Sequence, residues 1–248
     1  MVRRGPIATT PDSSFVPTSL RFPHPSAAPA VILIGVIGGI ASGKSLVCDQ
    51  LRRLGAVVIA ADQLGHEVLA DPEVRATLVA RWGISIVEPD GAVNRREIAR
   101  RVFAAPPDGP RELAYLEQLT HPRIAARIRT RIEQLRGDPA VEVAVLDAPL
   151  MLEAGWAKWC DGLVFVDAPL DERRRRASGR GWAVDELSAR EARQTSLDEK
   201  RRLARWTIDN SRSSTDTLRQ VERIWQELKL LAGLQGSSSH PSAAARGE

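Results

Sequence analysis

Along the chain, short runs of consecutive apolar residues alternate with longer stretches whose apolar positions recur every three or four residues. VILIGV from residue 31, AVVIA from 56, VEVAVLD from 141 and GLVFVD from 162 are the continuous runs, and WTIDN from 206 is a shorter fifth. Each has the length and β-branched content of a buried strand. Between them, KSLVCDQLRRLG places Leu46, Val47, Leu51 and Leu54 at helical spacing before Gly55 stops it. LGHEVLA and PEVRATLVARW follow as helices, the second with Pro72 in its first turn. DGAV reads as a turn before the helix REIARRVFA, and LAYLEQLTHPRIAARIRTRIEQL reads as a helix broken at Pro122. DTLRQVERIWQELKLL closes the pattern with Leu218, Val221, Ile224, Trp225 and Leu228 on one stripe. Apolar strands separated by helices predict an α/β fold, a mostly parallel five-stranded sheet covered on both faces. The second strand is expected to neighbour the first.

Outside this pattern, residues 1 to 29 scatter six prolines among Ser, Thr and Ala and read as a disordered extension, as does the tail from 234 to 248. That leaves one domain over 30 to 233. Of 35 Lys+Arg residues only 4 are lysine, and the net charge is +4. Arginine-rich surfaces suit phosphate, whether on a nucleotide or a nucleic acid. The 2 cysteines, Cys48 and Cys160, make no disulfide framework, so a reducing compartment such as the cytoplasm is expected. The longest apolar run, AVILIGVIGGIA, is too short to span a bilayer.

The chemistry starts where the first strand ends. Gly38-Gly39-Ile40-Ala41-Ser42-Gly43-Lys44-Ser45 fits G-x-x-x-x-G-K-[ST] between a strand and a helix. Its glycines let successive N–H groups converge on phosphate oxygens, and the helix that follows adds its unpaired donors and dipole. This arrangement predicts a P-loop for ATP, with Lys44 on the β- and γ-phosphates and the Ser45 hydroxyl on Mg²⁺.

Three carboxylates fall at the carboxyl edge of the predicted sheet, where ligands of such folds sit. Asp62 could take the proton of an attacking hydroxyl, hold the metal's water shell, or cap a helix. Asp147 could hold Mg²⁺ through water or merely end its strand, and Asp167 reads as a cap before the next helix. From 170 to 194, LDERRRRASGRGWAVDELSAREARQ packs arginines around a glycine-bearing turn. It reads as a lid over about 170 to 195 that could bring Arg176, Arg180 or both onto a phosphoryl group and exclude water.

With the loop and Asp62, DGAVNRREIARRVF, LEQLTHP, DAPLMLE and EKRRLARWTIDN stand in an order and spacing that resemble the dephospho-coenzyme A kinase family across nearly all of 31 to 230. The resemblance implies a P-loop kinase with a helical acceptor-binding region over about 62 to 137 and a lid. It implies transfer of the ATP γ-phosphate to the ribose 3′-hydroxyl of dephospho-coenzyme A, with Mg²⁺, and Asp62 matches the family's general base. Arg180 matches the lid arginine, and Asn210 lies in the loop associated with adenine. Arg95, His121, Asp147, Leu150 and Glu153 fall in acceptor-side or structural signatures, although His121, next to Pro122, could simply order the helix break. Gln194 and Lys200 match the lid-side pattern. Ala41 stands where the family has glycine, tolerable if its φ stays negative, and Asn94 stands where aspartate is usual. The expectation is a monomer acting on ATP and dephospho-coenzyme A, with no role for nucleic acid or a membrane. A nucleoside monophosphate kinase, a nucleic-acid-coupled NTPase and a nucleotide-sensing module are the alternatives the residues leave.

Overall fold

The computed structural model describes residues 31–182 and 184–237. Of the segments expected to be disordered, 1 to 29 and the 238 to 248 part of 234 to 248 lie outside them. Five strands, β1 (Ile32–Gly38), β2 (Val57–Ala60), β3 (Val143–Asp147), β4 (Gly162–Asp167) and β5 (Trp206–Asp209), form one sheet in the order β2-β3-β1-β4-β5. Every pairing is parallel. The expected β1–β2 neighbourhood is therefore wrong, because β3 lies between them. Burial gives the reason: Val143 to Leu146 are buried, whereas only Ile59 of β2 is, so β2 takes the half-covered edge and β3 a covered place.

The alternation along each strand sorts the core into two layers. Ile32, Ile34 and Val36 of β1 join Val143 and Val145 of β3 against α1 (Lys44–Leu54) and Val221, Ile224, Trp225 and Leu228 of the C-terminal helix. Leu33 and Ile37, with Ala144, Leu146 and Phe165, turn the other way and meet Ile128, Ile132 and Leu135. Strand periodicity of two thus supplies both faces from one apolar run.

A third cluster belongs to the helical region. It gathers α2 (Ala61–Ala70), α3 (Pro72–Trp82), α4 (Arg95–Val102) and α5 (Asp108–Arg136) around Val68, Val74, Leu78, Trp82, Ile98 and Val102. Asn94 caps α4 by accepting from the Glu97 N–H at 2.9 Å, a task that asparagine performs as well as aspartate. Asp71 caps α3 in the same way, ahead of Pro72 in its first turn. The expected break at Pro122 does not occur, and α5 runs on through it. Pro122 forfeits one N–H donor, which packing of α5 on α2, α4 and the sheet outweighs. The lid comprises α6 (Leu170–Ser178) and α7 (Val184–Glu191), followed by α8 (Leu197–Leu203); α9 (Ser214–Ser237) runs past the boundary expected at 233.

The loop after β1 is held from beneath. Asn210 follows β5 and is buried; its Nδ2 donates to the Ser42 carbonyl at 2.7 Å and its Oδ1 accepts from Thr217 Oγ1 at 2.8 Å. Arg176 of α6 donates to the Ser42 carbonyl at 3.0 Å and to the Asn210 carbonyl at 2.9 Å. Gly43 has φ 104, and a Cβ there would overlap Asn210 Nδ2, so only glycine fits. Ala41 does not meet the condition set for it: its φ is 59, in the left-handed region. An alanine there costs about 1–2 kcal/mol.

Two predictions follow from this anchoring. Ala41→Gly raises stability by about 0.5–1 kcal/mol, the strain relieved less the entropy glycine regains in the unfolded chain, and urea melts check it. Asn210→Ala removes one bond to the Ser42 carbonyl and leaves the Thr217 hydroxyl with only its longer bond to the Ser213 carbonyl at 3.2 Å, and lowers stability in the same melts by about 1–3 kcal/mol.

Candidate active site

Strand register brings the carboxyl ends together. Asp147 pairs across the sheet with Val36 of β1 and Ala60 of β2, which puts it beside the start of the loop and two residues from Asp62. The loop, Asp62, Asp147 and the lid enclose one cleft of about 690 Å³. Ile40 to Ser45 line its floor, and Arg180 reaches it from the turn after α6.

Lys44 begins α1 and, with no ligand present, donates Nζ to the carbonyls of Gly38 and Gly39 at 3.2 and 2.8 Å. Burial, with lesser repulsion from Lys200 and Arg180, pushes its pKa down to about 8, against the attraction of Asp147. Neighbouring cations and a dry seat make Lys44 a group that gains from an arriving polyanion. Ser42 points the same way: its Oγ is buried and has no hydrogen-bond partner among the described residues. Ser45, directly after Lys44, is exposed to the cleft.

Asp62 sits in the first turn of α2, whose N-cap is Ala60 with no side-chain bond, so the capping role is excluded. It opens on the cleft, yet surrounding protein strips enough water to raise its carboxyl above the ordinary value, more than His66 and Lys44 pull it down. The Asp147 carboxyl is likewise raised, first by burial and further by Asp62, while Lys44 opposes. Two carboxylates that repel each other beside an exposed serine hydroxyl form a hard-oxygen donor set suited to Mg²⁺ completed by water and phosphate. No group of three or more His, Cys, Asp or Glu able to hold a metal occurs among the described residues.

The other expected site residues divide. His121, Leu150 and Glu153 line the cleft; His121 lies edge-on to Trp156 with centroids 6.0 Å apart, and Glu153 accepts from the Thr195 N–H at 2.7 Å. Arg95 is exposed at the rim and donates to His66 Nε2 at 2.7 Å, one turn along α2 from Asp62. Asn210 lies under the loop and Gly38 and Gly39 behind it; none is among the residues lining the cleft. Arg176 is occupied with the loop carbonyls, so of the two lid arginines Arg180 alone faces the cleft. Asp167 does not cap α6; its Oδ2 accepts from Arg201 at 2.6 Å, and Pro169 occupies the cap position.

Among the cleft residues that sequence reasoning did not single out are Phe103, Trp182, Arg190 and Arg193. Phe103, 53% exposed at the end of α4, lies under the guanidinium groups of Arg190 and Arg193, and Arg190 also covers Trp182 at 4.3 Å. Their only sequence signal was the arginine density of the lid, which does not tell the cleft side of α7 from its outer side. Behind the cleft, Arg173 is buried, donates to the Ala168 carbonyl at 3.1 Å and pairs with Glu191, so it ties α6 to α7. Lys200 is also buried and donates to Gln194 Oε1 at 2.8 Å.

This geometry agrees with known proteins over most of the chain. The profile described as CoaE: Dephospho-CoA kinase matches residues 32–216. A dephospho-CoA kinase of Symbiobacterium thermophilum is 41% identical over 216 residues, 85% of each chain. That of Geobacter metallireducens is 39% identical over 79% of this chain and 96% of its own. Among solved structures, TT1252 from Thermus thermophilus superimposes with a TM-score of 0.64 and 32% identity, covering 80% of this chain and 98% of its own. The dephospho-CoA kinase from Campylobacter jejuni, 22% identical over 79% of this chain and 96% of its own, shares the fold with a TM-score of 0.61. A P-loop, a strand-end aspartate and a lid arginine around one cleft, together with these likenesses, lead to one conclusion: the chain belongs to the dephospho-CoA kinase family.

Proposed function

We propose that the protein transfers the γ-phosphate of ATP to the ribose 3′-hydroxyl of dephospho-coenzyme A, giving coenzyme A and ADP, the last step in making coenzyme A. The observation that carries this reading is the convergence of Lys44, Asp62 and Arg180 on one cleft, a phosphate cation, a carboxyl base and a lid cation in line with family membership. ATP lies over the loop, where Lys44 exchanges the carbonyls of Gly38 and Gly39 for phosphate oxygens. Asp62 orients the acceptor hydroxyl and takes its proton, and Arg180 offsets the charge on the transferring oxygens. Ser45, directly, and Asp147, through water, are the residues that would hold Mg²⁺, whose chemistry when bound is to neutralise charge across the β- and γ-phosphates. Asn210 serves the nucleotide by fixing the Ser42 carbonyl from below. Arg95, His121, Leu150 and Glu153 form the acceptor side. Positioning and electrostatics supply the catalysis, so a single copy of the chain suffices and neither nucleic acid nor membrane is required. No helix among the described residues is long and apolar enough to cross a membrane.

The test is ADP release coupled to coenzyme A formation. Wild type turns over only with acceptor present; Lys44→Ala and Asp62→Asn each lose on the order of 10²–10⁴ in kcat while retaining the fold. ATP turnover indifferent to dephospho-coenzyme A, or stimulated instead by a nucleoside monophosphate or by RNA, would sink the assignment.

The pH profile supplies a second prediction. Asp62 must be ionised to act, and its carboxyl lies above the ordinary value, so kcat/KM falls on the acid side at a pH above that of an unperturbed aspartate. Lys44 must be protonated to meet phosphate, so kcat/KM for ATP declines as pH rises through about 8 in the free enzyme. Bound phosphate favours the charged lysine, which moves that limb upward in kcat.

A further inference from the structure

The segment that leads out of the lid ends in a buried cation to which the reaction above gives no part. Lys200 of α8 is 2% exposed and donates its ammonium to Gln194 Oε1 at 2.8 Å. Among the described residues it forms no ion pair. The two carboxylates near enough to act on it are engaged elsewhere, Glu153 by the Thr195 N–H at 2.7 Å and Glu191 by Arg173. A buried charge left to one neutral oxygen costs stability, and an apolar side chain of the same length would fill the seat without that cost. Holding α8 in place does not require a lysine.

The position of α8 offers another use for it. Leu197, one turn before Lys200, stands 3.2 Å from where a Cβ on Gly39 would lie, and Arg173 of α6 stands 3.1 Å from the same point. Both helices therefore pack behind the phosphate loop, and Lys200 is the charge that acts most strongly on Lys44. Gln194, in the bend between α7 and α8, lines the cleft together with Ile40 to Ser45 and Arg180. It stands between a cation behind the loop and the space in front of it.

The amide has two unlike ends. Its oxygen only accepts and its NH2 only donates, while an ammonium has no acceptor to offer. Lys200 can therefore meet only Oε1, which fixes the orientation of the amide and turns Nε2 the other way. No described residue accepts from Nε2. An amide without this tether could flip and present its oxygen to the cleft, where phosphate would repel it. A cationic hydrogen bond on Oε1 removes that state and, by polarising the amide, strengthens its N–H groups as donors.

We propose that Lys200 is a positioning residue that turns the Gln194 amide so that its NH2 group donates to a phosphate oxygen of the bound nucleotide. The inference rests on the nucleotide reading of the cleft given above and not on the identity of the acceptor. Calorimetric titration of the full chain with ATP and Mg²⁺ tests it, alongside steady-state kinetics. Gln194→Ala removes the donor, and Lys200→Met removes the ammonium while filling its seat; Lys200→Leu takes its place if the methionine variant does not fold.

Each variant is expected to weaken ATP binding by roughly tenfold, the worth of a hydrogen bond to a charged group, and to raise KM for ATP in step. KM for dephospho-coenzyme A stays within about twofold of wild type. The double variant loses no more than about twofold beyond Gln194→Ala, because Lys200 acts through the amide. Ligand-free Lys200→Met melts at or above the wild-type temperature, which separates the lost affinity from lost structure. Unchanged ATP affinity in folded variants would overturn the proposal. Losses that add in the double variant would do so too, by showing that Lys200 acts through its own charge. A rise confined to KM for dephospho-coenzyme A would overturn it by giving the donor to the acceptor's diphosphate. A wild type that binds ATP without turning over dephospho-coenzyme A would overturn the reaction and leave the binding test in force, whereas one that binds no ATP would overturn the nucleotide reading itself.

Discussion

A loop that turns its N–H groups toward an anion must turn carbonyls the other way, and those carbonyls need donors. Here the donors come from distant parts of the chain. Asn210, after the last strand, meets the Ser42 carbonyl, Arg176 on the lid's first helix meets Ser42 and Asn210, and Lys44 holds Gly38 and Gly39. The site and the lid are thereby built on one another. Arg176 joins α6 to the loop, Arg173 joins α6 to α7, and the turn between those helices carries Arg180 to the cleft. Ala41 sits in this frame at positive φ, a strained residue that surrounding bonds hold in place.

The electrostatics of the cleft oppose like charges on each side of the transfer. Lys200 and Arg180 repel Lys44 on the phosphate side, while Asp62 repels Asp147 on the acceptor side. Burial first, with that repulsion added for Lys44 and Asp147, moves the pKa values of Lys44 and the two carboxyls toward neutrality, where a lysine yields to phosphate and a carboxyl can accept a proton. The proposed ligand set, polyphosphate with a divalent cation, would relieve both repulsions.

Much of this was legible in the residues. Continuous apolar runs identified all five strands, and the glycine loop announced its own site because local backbone requirements dictate local sequence. The misreadings have a common physical origin. Sequence distance suggested that β2 would lie beside β1, but sheet order depends on how much of each strand the helices cover. Pro122 reads locally as a break, yet packing on both sides keeps α5 whole. Asp167 looked like a cap until Arg201, brought beside it in the fold, provided an ion pair. The condition placed on Ala41 failed because φ follows from the loop's anchoring rather than from the residue.

The sequence by itself determined the parallel α/β class, the loop with Lys44 and Ser45, and the carboxylates available as base and metal partner, because periodicity and short motifs are local properties of a chain. Only the tertiary structure decided that Arg180 rather than Arg176 faces the cleft, that Asn210 works beneath the loop, and that Phe103 lies under two lid guanidiniums. Each of those depends on which side of a helix meets which neighbour across the sheet edge, and contacts between residues far apart in the chain leave no spacing to read.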